Sequence, residues 1–287
     1  MSDTLINGIS TRCLDAHDRG FHYGDGLFET LAVRNGVPVL WDMHMQRLQR
    51  GCQRLNFPEI DPVLLWSEAM SLLCRDAPSV RQDVTQEVLK IIITRGSGGR
   101  GYRAPSPSSV LAMEGATRIL TRYPWPDYPT TFWSTGVAVR VCSTRLGCNP
   151  VLAGIKHLNR LEQVLARSEW DDPTVPEGLM LDGQGHVIEG TMTNLFVVRS
   201  GQLLTPDVSQ CGVAGVLRSW VLAYARAAGI PVAITALTLD VITSADEVFL
   251  CNSVIGIWPV CNVAGSSFRV NRPITLEIMG KFRDSTV

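Results

Sequence analysis

Turn signals at Asn7-Gly8, Asn35-Gly36, Asp182-Gly183 and Ser200-Gly201 cut this chain into short extended segments. Such pairs accept the positive φ values that a tight hairpin needs, so each predicts an antiparallel return of the backbone. Asn35-Gly36 lies between Leu27–Arg34 and Val37–Leu40. Gly178–Glu189 and Leu195–Thr205 form two more hairpin patterns around Asp182-Gly183 and Ser200-Gly201. Helical patterns fall between these segments without strict alternation. One runs from an Asp42 cap to about Asn56, with Met45, Leu48, Cys52 and Leu55 as its apolar stripe. Others cover Pro62–Cys74, Leu158–Trp170, Gly215–Ala228 and the chain from Pro273. Further strands are predicted at Glu87–Arg95, Ala116–Arg122, Val137–Ser143, Val232–Ala236, Glu247–Cys251 and Ile257–Asn262. Regular βαβ units are missing from this order, which predicts an α+β fold with mixed or antiparallel sheets rather than a doubly wound one.

A chain of 287 residues can bury one large core or two ordinary ones. Three prolines in Tyr123–Pro129 stiffen that stretch and break any element. It is the predicted linker, with a smaller α/β domain over residues 1–120, a linker over 121–132 and a larger domain over 133–287. Charged residues make up 18%, below the usual level of about a quarter. That fits extensive buried surface, including a subunit interface. A net charge of −1 with no basic run gives no support for nucleic-acid or membrane-surface binding. The eight cysteines are scattered without a C-x-x-C pair, and Met1–Asn7 has no basic segment followed by an apolar one. Reduced thiols in the cytoplasm are the expectation. The five histidines lack metal-ligand spacing, so no metal is expected.

The chain carries only three lysines against 23 arginines. Lys156 sits in Ala153-Gly-Ile-Lys-His-Leu-Asn-Arg-Leu-Glu-Gln163, whereas Lys90 and Lys281 have no comparable sequence surroundings. A lysine amine becomes a neutral nucleophile or base when burial or a nearby cation lowers its pKa, which a guanidinium cannot do. The plain alternative is a surface lysine at a helix start. Gly96-Ser-Gly-Gly-Arg-Gly101 formally matches G-x-G-x-x-G. However, Pro105 and Pro107 oppose the helix that a dinucleotide site requires. A loop carrying Arg95, Arg100, Tyr102 and Arg103 toward an anionic ligand is the better reading, beside that of an ordinary surface loop. Gly212-Val-Ala-Gly215 leads into a helix whose amides at Val216 and Leu217 could hold a phosphate, although glycines before helices are common. Glu189, at a strand end before Gly190, would matter if it faced a pyridinium nitrogen; otherwise it is a solvated turn residue. Arg47 shares a helical stripe with Arg50 and Arg54, and for Arg50 and Arg54 a solvated face is the expectation.

Together these segments resemble the fold type IV pyridoxal-phosphate enzymes, the group of branched-chain and D-amino-acid aminotransferases. The resemblance runs through Phe21–Glu29, His44–Leu48, Arg95–Tyr102, Leu146–Gln163, Glu189 to Thr193-Asn-Leu-Phe196, and Gly212–Arg218. The arginine loop and the lysine segment resemble more closely the lyase branch, which converts 4-amino-4-deoxychorismate to 4-aminobenzoate and pyruvate. The resemblance implies pyridoxal 5'-phosphate as cofactor, bound mainly by the larger domain, and a homodimer. It implies Lys156 as the Schiff-base lysine and proton shuttle, and Glu189 as the partner of the pyridine nitrogen. Arg47, the amides of Val216 and Leu217, and Ser253 would hold the phosphate, with Asn194 in support. Arg95, Arg100 and Tyr102 would meet the two carboxylates of the substrate. An aminotransferase on the same scaffold is the alternative activity. From a different class, a non-catalytic nucleotide-binding protein built on the glycine loop would need no cofactor lysine.

Overall fold

The computed structural model describes residues 3–74, 86–98, 100–105, 115–270 and 272–285. Gly99 and Pro107 of the glycine-loop reading lie outside the described residues. The chain divides into two compact units. One is Met1–Pro126 with Lys156–Asn159, and the other is Asp127–Ile155 with Arg160–Val287.

The first unit contains β1 (Thr4–Ile6), β2 (Ile9–Ser10), α1 (Arg19–Tyr23), β3 (Gly26–Arg34), β4 (Val37–Pro38), α2 (Trp41–Arg54), α3 (Pro62–Leu73), β5 (Gln86–Thr94) and β6 (Thr117–Pro124). Its six-stranded sheet has the order β2-β1-β6-β5-β3-β4, antiparallel at every pairing. The turn chemistry works as predicted: Asn7 and Gly8 have φ of 50° and 79°, and Asn35 and Gly36 have 51° and 81°. Leu27, Glu29 and Leu31 share one face of β3 and are buried, while Phe28 and Thr30 on the other face are only half-buried. Met45, Leu48 and Cys52 of α2 are buried, and α2 packs on β3. Each such side chain contributes about 1.5–3 kcal/mol by leaving water. Asp42 does not cap α2, because the N-cap is Leu40 at φ 54° without a side-chain bond. Asp42 instead sits in the first turn, where its charge favours the positive end of the helix dipole. Asp61 caps α3 as a carboxylate should, accepting from the Val63 amide at 2.8 Å.

The second unit contains α4 (Thr131–Ser134), β7 (Val137–Leu146), α5 (Leu161–Arg167), β8 (Glu177–Asp182), β9 (Val187–Gly190), β10 (Asn194–Arg199), β11 (Gln202–Pro206), α6 (Val216–Ala227), β12 (Val232–Thr235), α7 (Leu239–Thr243), β13 (Glu247–Asn252), β14 (Gly256–Val263), β15 (Ser266–Ser267) and α8 (Pro273–Asp284). Its sheet is mixed, in the order β12-β11-β10-β13-β14-β7-β8-β9, with β15 on β14. The parallel pairings are β11–β12, β14–β7 and β7–β8. Leu195, Val197, Leu250, Val260 and the fully buried Trp258 belong to its core. Burial on both faces explains why β8 to β10 read as near-continuous apolar runs.

Two elements are shorter or longer than the sequence predicts. The helix expected from Leu158 starts at Leu161, because the preceding residues are taken into strand-like pairing. Leu158 donates its amide to Gly26 at 3.0 Å, and His157 bridges Leu27. Conversely, Tyr123 and Pro124, expected in the linker, are the last residues of β6 and pair with Val88 and Glu87.

Candidate active site

In the first unit, Lys156 is held by its backbone before its side chain does anything. The Phe28 amide donates to the Lys156 carbonyl at 3.0 Å, and the adjoining His157–Leu27 bridge fixes the strand-like path. Asn159 donates from Nδ2 to the Gly24 carbonyl at 3.1 Å, closing the far end. The Lys156 Nζ lies 4.3 Å from the centre of the Phe28 ring. Lys90 approaches the same ring at 5.4 Å. Two of the three lysines in the chain therefore share one aromatic neighbour. No motif hints at this for Lys90, since residues 28 and 90 meet only through the β3–β5 ladder.

Arg50 and Arg54 are exposed, as expected, whereas Arg47 on the same helix is buried. It is 8% exposed, against 1% for Glu29 and 0% for His44. Its Nε donates to Glu29 Oε1 at 2.8 Å, its Nη2 binds Glu29 Oε2, and His44 Nδ1 meets the same Oε2 at 2.6 Å. Burial pushes the Glu29 carboxyl up, but the Arg47 charge, then His44, bring it down to about 2. Burial holds the His44 imidazolium below its ordinary range, against the opposing pull of Glu29. A neutral imidazole beside an ionised carboxylate donates from Nδ1. Glu29 and His44 lie in two of the family-like segments, Phe21–Glu29 and His44–Leu48, but the resemblance gave neither a role. The available signal was a glutamate at a core-facing position of an apolar strand.

The arginine loop is arranged differently from expectation. Arg95 donates from Nε to Asp25 Oδ2 at 2.8 Å, from Nη1 to the Asn56 carbonyl at 2.9 Å, and from Nη2 to the Leu55 carbonyl at 2.8 Å. Its guanidinium also lies over Phe57 at 4.1 Å. It anchors the end of β5 to the C-terminus of α2 rather than standing out toward solvent. Arg19, which no motif marked, clamps the loop itself. It bonds the carbonyls of Gly101 and Tyr102 at 2.9 and 3.0 Å, and Asp25 at 2.8 Å. Arg100 is exposed and Tyr102 is 89% exposed, so these two are presented outward.

In the second unit, Glu189 closes β9 and is buried. The Val213 amide donates to its Oε2 at 2.8 Å, and Gln163 Nε2 reaches Oε1 at 3.5 Å. Asn194, the first residue of β10, donates from Nδ2 to the Val213 carbonyl at 2.9 Å. Glu189 and Asn194 thus staple both sides of Val213 in the loop before α6. Gly212 and Gly215 leave room for this. Gly212 has φ of 82°, and a Cβ on Gly215 would lie 2.0 Å from Asn194 Oδ1. No side chain caps α6, so its first amides, Val216 and Leu217 among them, open toward a loop free of Cβ atoms at both glycines. Arg160 is half-buried; burial pushes its guanidinium down, while Glu189 and Glu162 pull it back. Ser253 sits in the turn between β13 and β14, where Asn252 Oδ1 accepts the Val254 and Ile255 amides at 2.9 Å.

Residues 26–263 match the family described as amino-transferase class IV. The chain belongs to the class IV aminotransferase family. As a class IV member it is 38% identical to aminodeoxychorismate lyase of Vibrio harveyi, with 94% of each chain covered. The crystal structure of 4-amino-4-deoxychorismate lyase from Pseudomonas aeruginosa is 44% identical, covers 98% of each chain and has a TM-score of 0.88. The Escherichia coli branched-chain amino acid aminotransferase structure is further off, at 26% identity and a TM-score of 0.79 over 99% and 94% of the two chains. The α+β architecture and mixed and antiparallel sheets expected of this family are those observed. No group of His, Cys, Asp and Glu that could hold a metal ion occurs among the described residues. No helix among them is long and apolar enough to cross a membrane.

Proposed function

We propose that this chain is a pyridoxal-phosphate-dependent lyase that converts 4-amino-4-deoxychorismate to 4-aminobenzoate and pyruvate. The observation that carries this reading is the likeness, over nearly their whole length, to two proteins bearing that lyase name. The residues fit the cofactor chemically. A lysine amine suits an aldehyde, an acid suits a pyridinium nitrogen, and an uncapped helix start behind two glycines suits a phosphate. Lys156 would hold the aldehyde carbon, Glu189 the ring nitrogen, and Arg47 with the Val216 and Leu217 amides the phosphate. Ser253 would add a hydroxyl to that phosphate, and Asn194 would keep the Val213 loop in place. Bound pyridoxal phosphate supplies an electron-accepting ring that stabilises negative charge on the carbon bearing the substrate amine.

The remaining work belongs to the chain. The Lys156 amine removes the C4 proton of the substrate and returns a proton to the methylene carbon of the enolpyruvyl group. The C–O bond breaks, pyruvate leaves, and the ring becomes aromatic as 4-aminobenzoate. One amine acting twice needs a pKa near the working pH. Arg100 and Tyr102 are the outward-facing candidates for the two substrate carboxylates. Arg95, tied to Asp25 and to the end of α2, supports them by fixing the base of their loop.

We further propose a cytoplasmic homodimer. Eight free cysteines support a reducing compartment. The exposed Leu161, Val164 and Leu165 on α5 support a subunit contact, since apolar side chains at 69%, 57% and 55% exposure gain from cover. The test is product formation. Protein loaded with pyridoxal phosphate and given 4-amino-4-deoxychorismate is expected to release 4-aminobenzoate and pyruvate in equal amounts. Lys156→Ala is expected to be slower by about 10²–10⁴-fold. Amino-group exchange between amino and keto acids without 4-aminobenzoate would overturn the lyase reading in favour of an aminotransferase.

A further inference from the structure

Arg47 is the side chain of the first unit proposed to meet the cofactor phosphate, and the role inferred for its neighbours rests on that reading. Three buried polar side chains meet there. Glu29 comes from β3, while His44 and Arg47 sit at i and i+3 on α2, on the same face of the helix. A carboxylate and a guanidinium joined at both Nε and Nη2 share one plane, so the guanidinium cannot swivel. Planarity then dictates where the Nη1 edge points.

His44 adds a second constraint. Its Nδ1 holds Glu29 Oε2 at 2.6 Å, which stops the carboxylate from rotating out of that plane. Its other nitrogen, Nε2, is buried without a hydrogen-bond partner. Leaving a buried acceptor unpaired costs about 1–3 kcal/mol, so an apolar ring would serve better as mere filling. The reason for an imidazole at this position therefore lies at Nδ1. A buried ion pair is also weak evidence for stability, since well-packed apolar residues often do as well. The trio is better explained by what it does to the direction of Arg47.

We propose that Glu29, backed by His44, is a positioning residue that pre-orients the Arg47 guanidinium for a phosphate group. Neither residue touches the phosphate. Their effect is to remove the rotational freedom that Arg47 would otherwise lose on binding, and so to strengthen the phosphate contact specifically.

The test compares pyridoxal phosphate with pyridoxal, which lacks the phosphate. Apo full-length protein is titrated with each compound, and the ratio of the two Kd values isolates what the phosphate contributes. Arg47→Ala is expected to reduce that ratio by about 10–100-fold, the worth of a charge-assisted contact. Glu29→Gln is expected to reduce it by roughly 5–10-fold, and His44→Phe by roughly 2–5-fold, with pyridoxal affinity unchanged in both. Glu29→Asp should recover part of the loss. A purely structural role would weaken both ligands together. A wild-type ratio in Glu29→Gln beside a reduced one in Arg47→Ala would overturn the positioning role and leave the Arg47 reading intact. An unchanged ratio in Arg47→Ala would instead remove the reading on which the inference stands. If Glu29→Gln does not fold, His44→Phe decides alone, because it preserves the Glu29–Arg47 pair. An unchanged ratio there overturns the proposal.

Discussion

Glu29 in the first unit and Glu189 in the second are both buried carboxylates, yet they are satisfied in different ways. Glu29 is bound by side chains, an arginine and a histidine from one helix. Its charge is met by a full opposite charge inside the fold. Glu189 accepts from the Val213 amide at 2.8 Å and meets Gln163 Nε2 at 3.5 Å, and its charge supports the guanidinium of Arg160. The difference teaches what each carboxylate can do. One whose charge is paired with a guanidinium serves to direct that guanidinium. One tied to the loop before α6 through the Val213 amide is, on the proposed reading, the partner of a cationic ring nitrogen.

This contrast can be broken experimentally. The largest effect should come from Glu189→Gln, which keeps the shape but removes the charge. Turnover at saturating cofactor is expected to fall by about 10²–10³-fold, the scale for losing one preorganised electrostatic group. Glu29→Gln, measured in the same assay at saturating cofactor, should stay within roughly 3-fold of wild type, because its effect is on phosphate affinity. Equal losses in the two variants would erase the distinction between these carboxylates.

A smaller effect tests the glycine that makes room for the second unit's staple. In Gly215→Ala the new Cβ would lie 2.0 Å from Asn194 Oδ1, so the amide must move and give up its 2.9 Å bond to the Val213 carbonyl. The expected loss is about 1 kcal/mol, or roughly 2–4 °C in the melting temperature. An unchanged melt would show that Asn194 is not holding this loop.

The smallest effect is a pH dependence. Glu29 titrates at about 2 in the folded chain against 4.5 for an ordinary glutamate, so its stabilisation is complete above about pH 4.5 and drains away as pH falls toward 2. His44, held neutral by burial, acts earlier. The unfolded chain takes a proton near pH 6.5 that the folded chain resists, so stability declines as pH drops through that value. Thermal melts from pH 7 to pH 3 should therefore show a wild-type decline that His44→Phe lessens below 6.5 and Glu29→Gln lessens below 4.5. Parallel curves for all three proteins would remove these groups from the acid response.

Much of the fold was legible because its signals are local. Asn35-Gly36 and Ser200-Gly201 adopt the positive φ their chemistry favours, and Asp61 caps α3 through its own side chain. The start of α5 was not legible. The amide of Leu158 finds a carbonyl on Gly26, far away in sequence, and that bond competes with the helix. The candidate site divides in the same manner. Lys156 and Glu189 stood out through their neighbours in sequence, and so did the glycines before α6. The partners of Arg47 were not legible, because a helical pattern records spacing and says nothing about a carboxylate on a strand 18 residues earlier.

The sequence by itself determined the α+β class, the hairpins and the family, since turn chemistry and motif identity are carried by adjacent residues. Only the tertiary structure decided which charges are buried and what meets them. It made Arg95 an anchor on Asp25, 70 residues away, and put Lys90 beside the Phe28 ring that Lys156 also meets. It also joined Glu29 and His44 to Arg47. The physical reason is that a buried charge is tolerated only where a partner neutralises it, and that partner is supplied by the packing of elements rather than by the residues next along the chain.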